Sequence, residues 1–82
     1  MDKTTISIEF EKAVKNIEEI AGDYYATVTF NEDDAQENEE NTLYAFEHIE
    51  DYEFFFKEKG YSIEKAWRDG YEIDIDLVKI KK

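Results

Sequence analysis

Residues 71–77, YEIDIDL, alternate without a break between apolar side chains and carboxylates. Successive side chains of an extended chain point to opposite faces, so Tyr71, Ile73, Ile75 and Leu77 share one face and Glu72, Asp74 and Asp76 the other. Only a sheet with one dry and one wet face accommodates such a strand, and an apolar layer must cover the dry side. Tyr24, Ala26, Val28 and Phe30, alternating with Tyr25, Thr27, Thr29 and Asn31, repeat the pattern. The rest of the chain has to supply the covering layer.

Helical periodicity supplies it. Phe10, Ala13, Val14, Ile17, Ile20 and Ala21 recur at spacings of three and four, which predicts a helix over 9–21 with Gly22 at its C′ position. The β-branched run Thr4 to Ile8 ahead of it predicts a short strand, with an extra helical turn as the alternative. Leu43, Phe46, Ile49, Tyr52 and Phe56 predict a second helix over 42–59. Glu39 and Glu40 precede its positive end, Lys57 and Lys59 occupy its negative end, and Gly60 closes it.

Residues 61–68 fit two patterns: a strand turning at Asp69-Gly70, or a short helix with Ile63, Ala66 and Trp67 on one face. Ser62 as N-cap and Tyr61 stapling onto Ala66 favour the helix. The expected architecture is therefore α+β: a small two-layer sandwich with a three- or four-stranded sheet and two to three helices on one face. At 82 residues the chain makes a single domain, 1–82, and its six Phe, six Tyr and one Trp furnish a core.

Charge is the second constraint. The net charge is -12, and between Lys15 and Lys57 lie forty-one residues with thirteen Asp or Glu and no Lys or Arg. The densest stretch, NEDDAQENEEN at 31–41, has six carboxylates in eleven residues and is expected as a flexible acidic insert. A strongly negative surface repels nucleic acid and anionic membranes along the whole approach and favours a basic partner. There is no cysteine, which excludes disulfides, thiolate nucleophiles and sulfur-ligated zinc. The start, MDKTTISIEF, lacks the apolar stretch of a secretory signal, so the expected location is a cytoplasm.

Enzymatic chemistry finds little support. His48 is the single histidine, and Ser7 and Ser62 stand at element starts without the strained glycine turn of a nucleophile elbow. Carboxylates are too abundant for one pair to stand out as general acid and base, and the three glycines make no phosphate-binding loop. The 31–41 run is not a calcium loop either. Counted from Asn31, Ala35 stands at the fifth position and Gln36 where the sixth must be glycine. Neither a catalytic residue, a cofactor nor a metal is expected. Trp67 beside Lys65 and Arg68 is the nearest approach to an aromatic-basic surface and reads as a core anchor with solvated neighbours.

The carboxylates themselves then become the candidate site. Glu47, Glu50, Asp51 and Glu58 would share one face of a continuous second helix, and Glu72, Asp74 and Asp76 the wet face of the last strand. Strand carboxylates two apart repeat at roughly 6.6 to 6.8 Å. Duplex phosphates advance about 3.4 Å along the axis per strand, with a longer step along the winding backbone. The expected partner-binding set is Glu32, Asp33, Asp34, Glu37, Glu39, Glu40, Glu47, Glu50, Asp51, Glu72, Asp74 and Asp76.

In size, absence of cysteine, charge, aromatic content and α+β pattern, the chain resembles phage-encoded inhibitors that mimic DNA, of the anti-CRISPR, anti-restriction and uracil-DNA glycosylase inhibitor types. The resemblance is one of composition over the whole chain, without a shared motif. It implies a non-enzymatic inhibitor, monomeric or a small homo-oligomer, that blocks a basic nucleic-acid-binding protein in the host cytoplasm. The alternatives are an immunity protein or antitoxin capping a basic toxin, with Tyr25, Tyr44 and Phe54 as anchors, and a housekeeping domain whose acidic surface is only solvated.

Overall fold

The computed structural model describes residues 3–81. Its organising element is β4 (Glu72–Lys79), which pairs antiparallel with β2 (Asp23–Thr29) on one side and β3 (Tyr61–Asp69) on the other. The short β1 (Glu18–Ile20) extends the sheet beyond β2, giving the order β1-β2-β4-β3. The helical layer is α1 (Lys3–Lys15), α2 (Ala35–Glu47), a 3-10 turn (Ile49–Tyr52) and α3 (Glu53–Lys57). The chain has the α+β fold that its alternating strands call for.

The dry face forms as the alternation requires except at Tyr71, which falls in the hairpin turn ahead of β4 and is exposed. Ile73, Ile75 and Leu77 of β4 and Ala26 and Val28 of β2 are buried against Ile6, Phe10, Ala13 and Val14 of α1. Phe10 joins the helices to one another: its ring stacks on Tyr52 at 4.6 Å and meets Phe56 edge-on at 6.3 Å. Burying Phe10, Phe56 and Ile6 completely is worth about 1.5–3 kcal/mol per side chain, which makes this the anchoring contact of the layer.

Four expectations need correction. The N-terminal segment is helix from Lys3, not a strand, because Ile6, Phe10, Ala13 and Val14 form a buried i, i+4, i+7, i+8 stripe that outweighs the β preference of Thr and Ile. That helix stops at Lys15, not near 21; Asn16 N–H is shared between the Lys12 and Ala13 carbonyls, and Glu18–Ile20 turns back as an edge strand with Ile20 58% exposed. Ile17, Ile20 and Ala21 had continued the helical spacing by coincidence. Gly22 serves a hairpin: Ala21 (φ 52) and Gly22 (φ 87) are both left-handed, the signature of a type I′ turn between Ile20 and Asp23.

Third, the second helix begins earlier and is broken. Residues 31–41, expected as a flexible insert, are helical from Ala35 onward. Asp34 caps the helix, accepting from the N–H groups of Gln36 (2.8 Å) and Glu37 (3.4 Å). Asn38 clamps the preceding loop: its Oδ1 accepts from Glu32 N–H at 2.6 Å and its Nδ2 donates to the Glu32 carbonyl at 2.9 Å. The buried face here is Asn38, Asn41, Thr42 and Ala45, polar or small, so no apolar period betrays it. At the far end, α2 stops at Glu47. His48 Nδ1–H donates to the Tyr44 carbonyl at 2.9 Å, its ring stacks on Tyr44, and the 3-10 turn follows.

Fourth, residues 61–69 are a strand, not a short helix. A β-bulge at Glu64 shifts the register between Ile63 and Lys65, so Ile63 lies opposite Leu77 and Ala66 opposite Ile75 on one face. The bulge gives a strand the three-residue apolar spacing of a helix, which is why the sequence read as one. Gly70 (φ 62) at the first central position, with Tyr71 at negative φ, makes the β3–β4 hairpin a type II′ turn.

Ala21 is the one non-glycine residue in the left-handed region among the described residues. Asn tolerates that conformation and is preferred before Gly in type I′ turns. The variant Ala21→Asn is expected to stabilise the fold by about 1 kcal/mol, raising Tm by roughly 4–8 °C in thermal denaturation.

Candidate partner-binding surface

The helices cover one side of the sheet and leave the other open. Direct pairing places Glu18 beside Tyr25, Tyr25 beside Asp76, and Asp76 beside Lys65 on this outer face. The next rows are Thr27, Asp74 and Trp67, then Thr29, Glu72 and Asp69. Asp23 lies opposite Ile20 at the hairpin end. The face thus carries Glu18, Asp23, Asp69, Glu72, Asp74 and Asp76, with Lys65 as its single cation among the described strand residues. That cation is already engaged, its Nζ 5.3 Å from the Trp67 ring centroid.

The carboxylates sense one another. Glu72 is held above the ordinary Glu value, first by a hydrogen bond with Asp74, then by partial burial and by the charges of Asp74 and Asp69. Asp69 sits directly across from Glu72, a like-charge cross-strand pair that destabilises the sheet. Tyr25 is likewise raised, by partial burial first and then by Asp23 and Asp76. Thr27 Oγ1 donates to Asp74 at 3.4 Å, while Asp76 Oδ1 is shielded from solvent with no partner. Salt bridges do little to relieve this negative field. Among the described residues they are Lys12–Glu9 (3.1 Å) and Lys57–Glu53 (3.3 Å), both within helices of the other layer.

The expected site residues divide between the two sides of the molecule. Glu72, Asp74 and Asp76 form the row foreseen on the last strand. Glu37, Glu39, Glu40 and Glu47 are exposed on α2, and Glu50 and Asp51 on the 3-10 turn, all in the helical layer. The break at His48 removes the single helical row of Glu47, Glu50, Asp51 and Glu58. Glu32 and Asp33 are exposed in the loop before α2, but the Glu32 backbone is tied to Asn38. Asp34 is an N-cap, and Glu40 accepts from Gln36 Nε2 at 3.2 Å. The 31–41 run is therefore partly explained by starting a helix, with Glu37 beside its positive end.

Sequence reasoning missed several members of the open face. Trp67, read as a core anchor, is 40% exposed there, because the bulge puts Lys65, Trp67 and Asp69 outward. The helix start was signalled by Asp34 with Glu37 three residues later, a capping pattern. Glu53 emerges in another role: its Oε2 accepts from Ile63 N–H (2.9 Å) and Ser62 Oγ (3.1 Å), fastening α3 to the edge of β3. Among the described residues, no cluster of three or more His, Asp or Glu groups is arranged to hold a metal, and no helix is long and apolar enough to cross a membrane. No family model, curated protein or solved structure matches the chain.

Two carboxylates respond to pH in opposite senses. Glu53 is lowered, chiefly by the Ile63 N–H, so its contribution is present above the ordinary value of 4.5 and is lost as pH falls through its lower folded value. Glu53→Ala should cost about 1.5–3 kcal/mol at neutral pH in urea denaturation, with the gap to the unmodified protein narrowing below 4.5. Glu72 is raised, so its contribution is present below 4.5 and is lost as pH rises through its higher folded value. Asp74→Asn should return the Glu72 titration, followed by carbon-detected NMR, toward 4.5.

Proposed function

We propose that this chain is a non-enzymatic inhibitor whose open sheet face occupies the nucleic-acid-binding surface of a basic protein. The observation that carries the reading is the row Glu72, Asp74 and Asp76 on the inner strand β4, uncovered and, among the described residues, without a salt bridge and with Lys65 as its one neighbouring cation. Its repeat of roughly 6.6–6.8 Å suits side chains that normally grip successive phosphates. Repulsion within the row is a standing cost to the fold, and a cationic groove would relieve it. The partner class is a host defence nuclease or a CRISPR effector, which places the encounter in the host cytoplasm. The exposed carboxylates of α2 and its preceding loop, including Glu32, Asp33, Glu37 and Glu39, contribute to long-range attraction from the helical side.

A second reading has its own support. Tyr25 and Trp67 flank the acidic row on the same face, and aromatic anchors of this kind carry the energy of plug-like interfaces. An immunity protein or antitoxin capping a basic toxin would use them as its main contacts.

Immobilised protein exposed to host lysate, eluted by stepped salt and by competing duplex DNA, separates the two. A basic nucleic-acid-binding protein that is released by moderate salt and displaced by DNA is the expected result. Charge reversal by Glu72→Lys, Asp74→Lys and Asp76→Lys should abolish its capture while circular dichroism remains unchanged. A partner held through high salt, indifferent to DNA and lost on Trp67→Ala selects the plug. Failure to retain any specific partner overturns both.

A further inference from the structure

The molecule has a second unfilled surface, on the helical side of the sheet at its β3 edge. Here α2 ends at Glu47, the chain swings through the 3-10 turn, and the Glu64 bulge bends β3. Between them opens a groove of about 430 Å³ with Phe46, Ile49, Ile63 and Ala66 as its apolar lining. All four are half-buried, packed from below against the core. The volume falls within the ~300–1,000 Å³ of ordinary ligand sites. Glu50, Glu53 and Glu64 stand around the lining, with Lys65 at one end.

The surroundings discriminate among occupants. An added β-strand is disfavoured, because the Glu53 carboxylate already takes the outward Ile63 N–H and the bulge interrupts the edge. A second copy brings another net charge of -12 toward an acidic rim. An anion meets the same repulsion. Among the described residues neither Glu50 nor Glu64 has a salt bridge, so the rim offers uncompensated charge beside apolar surface.

We propose that this groove receives a basic amphipathic segment of a partner protein, its apolar side chain on Ile49, Ile63 and Ala66 and its Lys or Arg groups against Glu50 and Glu64. Charge complementarity selects the cations, and the apolar lining selects a segment that carries more than charge. The site borders the open sheet face and shares Lys65 with it. Its apolar lining lies on the helical side, and it does not rest on the function proposed for that face.

Two synthetic peptides of equal length and charge test the inference by NMR titration of the ¹⁵N-labelled protein: an amphipathic Leu/Lys peptide and a Ser/Lys peptide. The Leu/Lys peptide should shift the amides of Phe46, Ile49, Ile63 and Ala66, and the Ser/Lys peptide should leave them in place. Glu50→Lys with Glu64→Lys, both at exposed positions, should weaken the Leu/Lys peptide about tenfold. The single reversal Glu72→Lys, about 13 Å along β4 from the Asp76–Lys65 pair, should leave that affinity within about twofold, since the distance exceeds the screening length at physiological salt. Equal shifts from both peptides, shifts confined to the sheet face, absence of binding, or an unchanged affinity on reversing Glu50 and Glu64 would each overturn the proposal. So would peptide-independent dimerisation through Ile49 and Ile63 in sedimentation, which would assign the groove to a second copy. Loss of peptide binding leaves the lysate experiment on the sheet face unaffected, so the two readings fail separately.

Discussion

A strand that alternates isoleucine with carboxylate has to be wet on one side and dry on the other, and β4 holds that position between two neighbours. Its dry side, Ile73, Ile75 and Leu77, requires a cover, and α1 with the 3-10 turn and α3 provides it through the Phe10, Tyr52 and Phe56 rings. Its wet side inherits the carboxylates as a consequence. The same backbone geometry that seals the core sets Glu72, Asp74 and Asp76 in a row, and cross-strand pairing adds Asp69 beside it. Core and charged face are two results of one alternation.

Acidity in this chain does several kinds of work. Asp34 starts α2, and Glu53 closes part of the β3 edge, each by accepting backbone N–H groups that would otherwise lack partners. Of these, Glu53 stabilises the fold as an anion. Glu72 does the opposite, since its neighbours favour its protonated form. A carboxylate row that costs stability and has few compensating cations is the distinguishing property of the open face. It is also why that face, more than the acidic run at 31–41, carries the functional reading. In the core, Asn41 is fully buried with neither amide atom paired to protein, a burial cost that the apolar stripe of α1 does not carry.

Much of the fold was legible because its strongest signals are local. The strands 23–29 and 72–79, their inward residues and the acidic wet face follow directly from two-residue periodicity. The misreadings share a cause: spacing was the same in two structures. Ile63 and Ala66 are three apart on a helix and also across a bulge, and Gly22 at positive φ suits a helix end and a hairpin alike. The first half of α2 was invisible to hydrophobic pattern because Asn38, Asn41 and Thr42 are what it buries.

By itself the sequence determined the alternation, hence a one-sided sheet, an α+β class and a carboxylate row without enough cations to neutralise it. These depend only on which residue follows which. Tertiary structure decided where the helices break, that Trp67 faces outward beside the acidic row, and that Glu50 and Glu64 meet over an apolar groove. Each of those juxtapositions joins residues distant in sequence or on opposite sides of a bulge, and only strand register and layer packing bring them together.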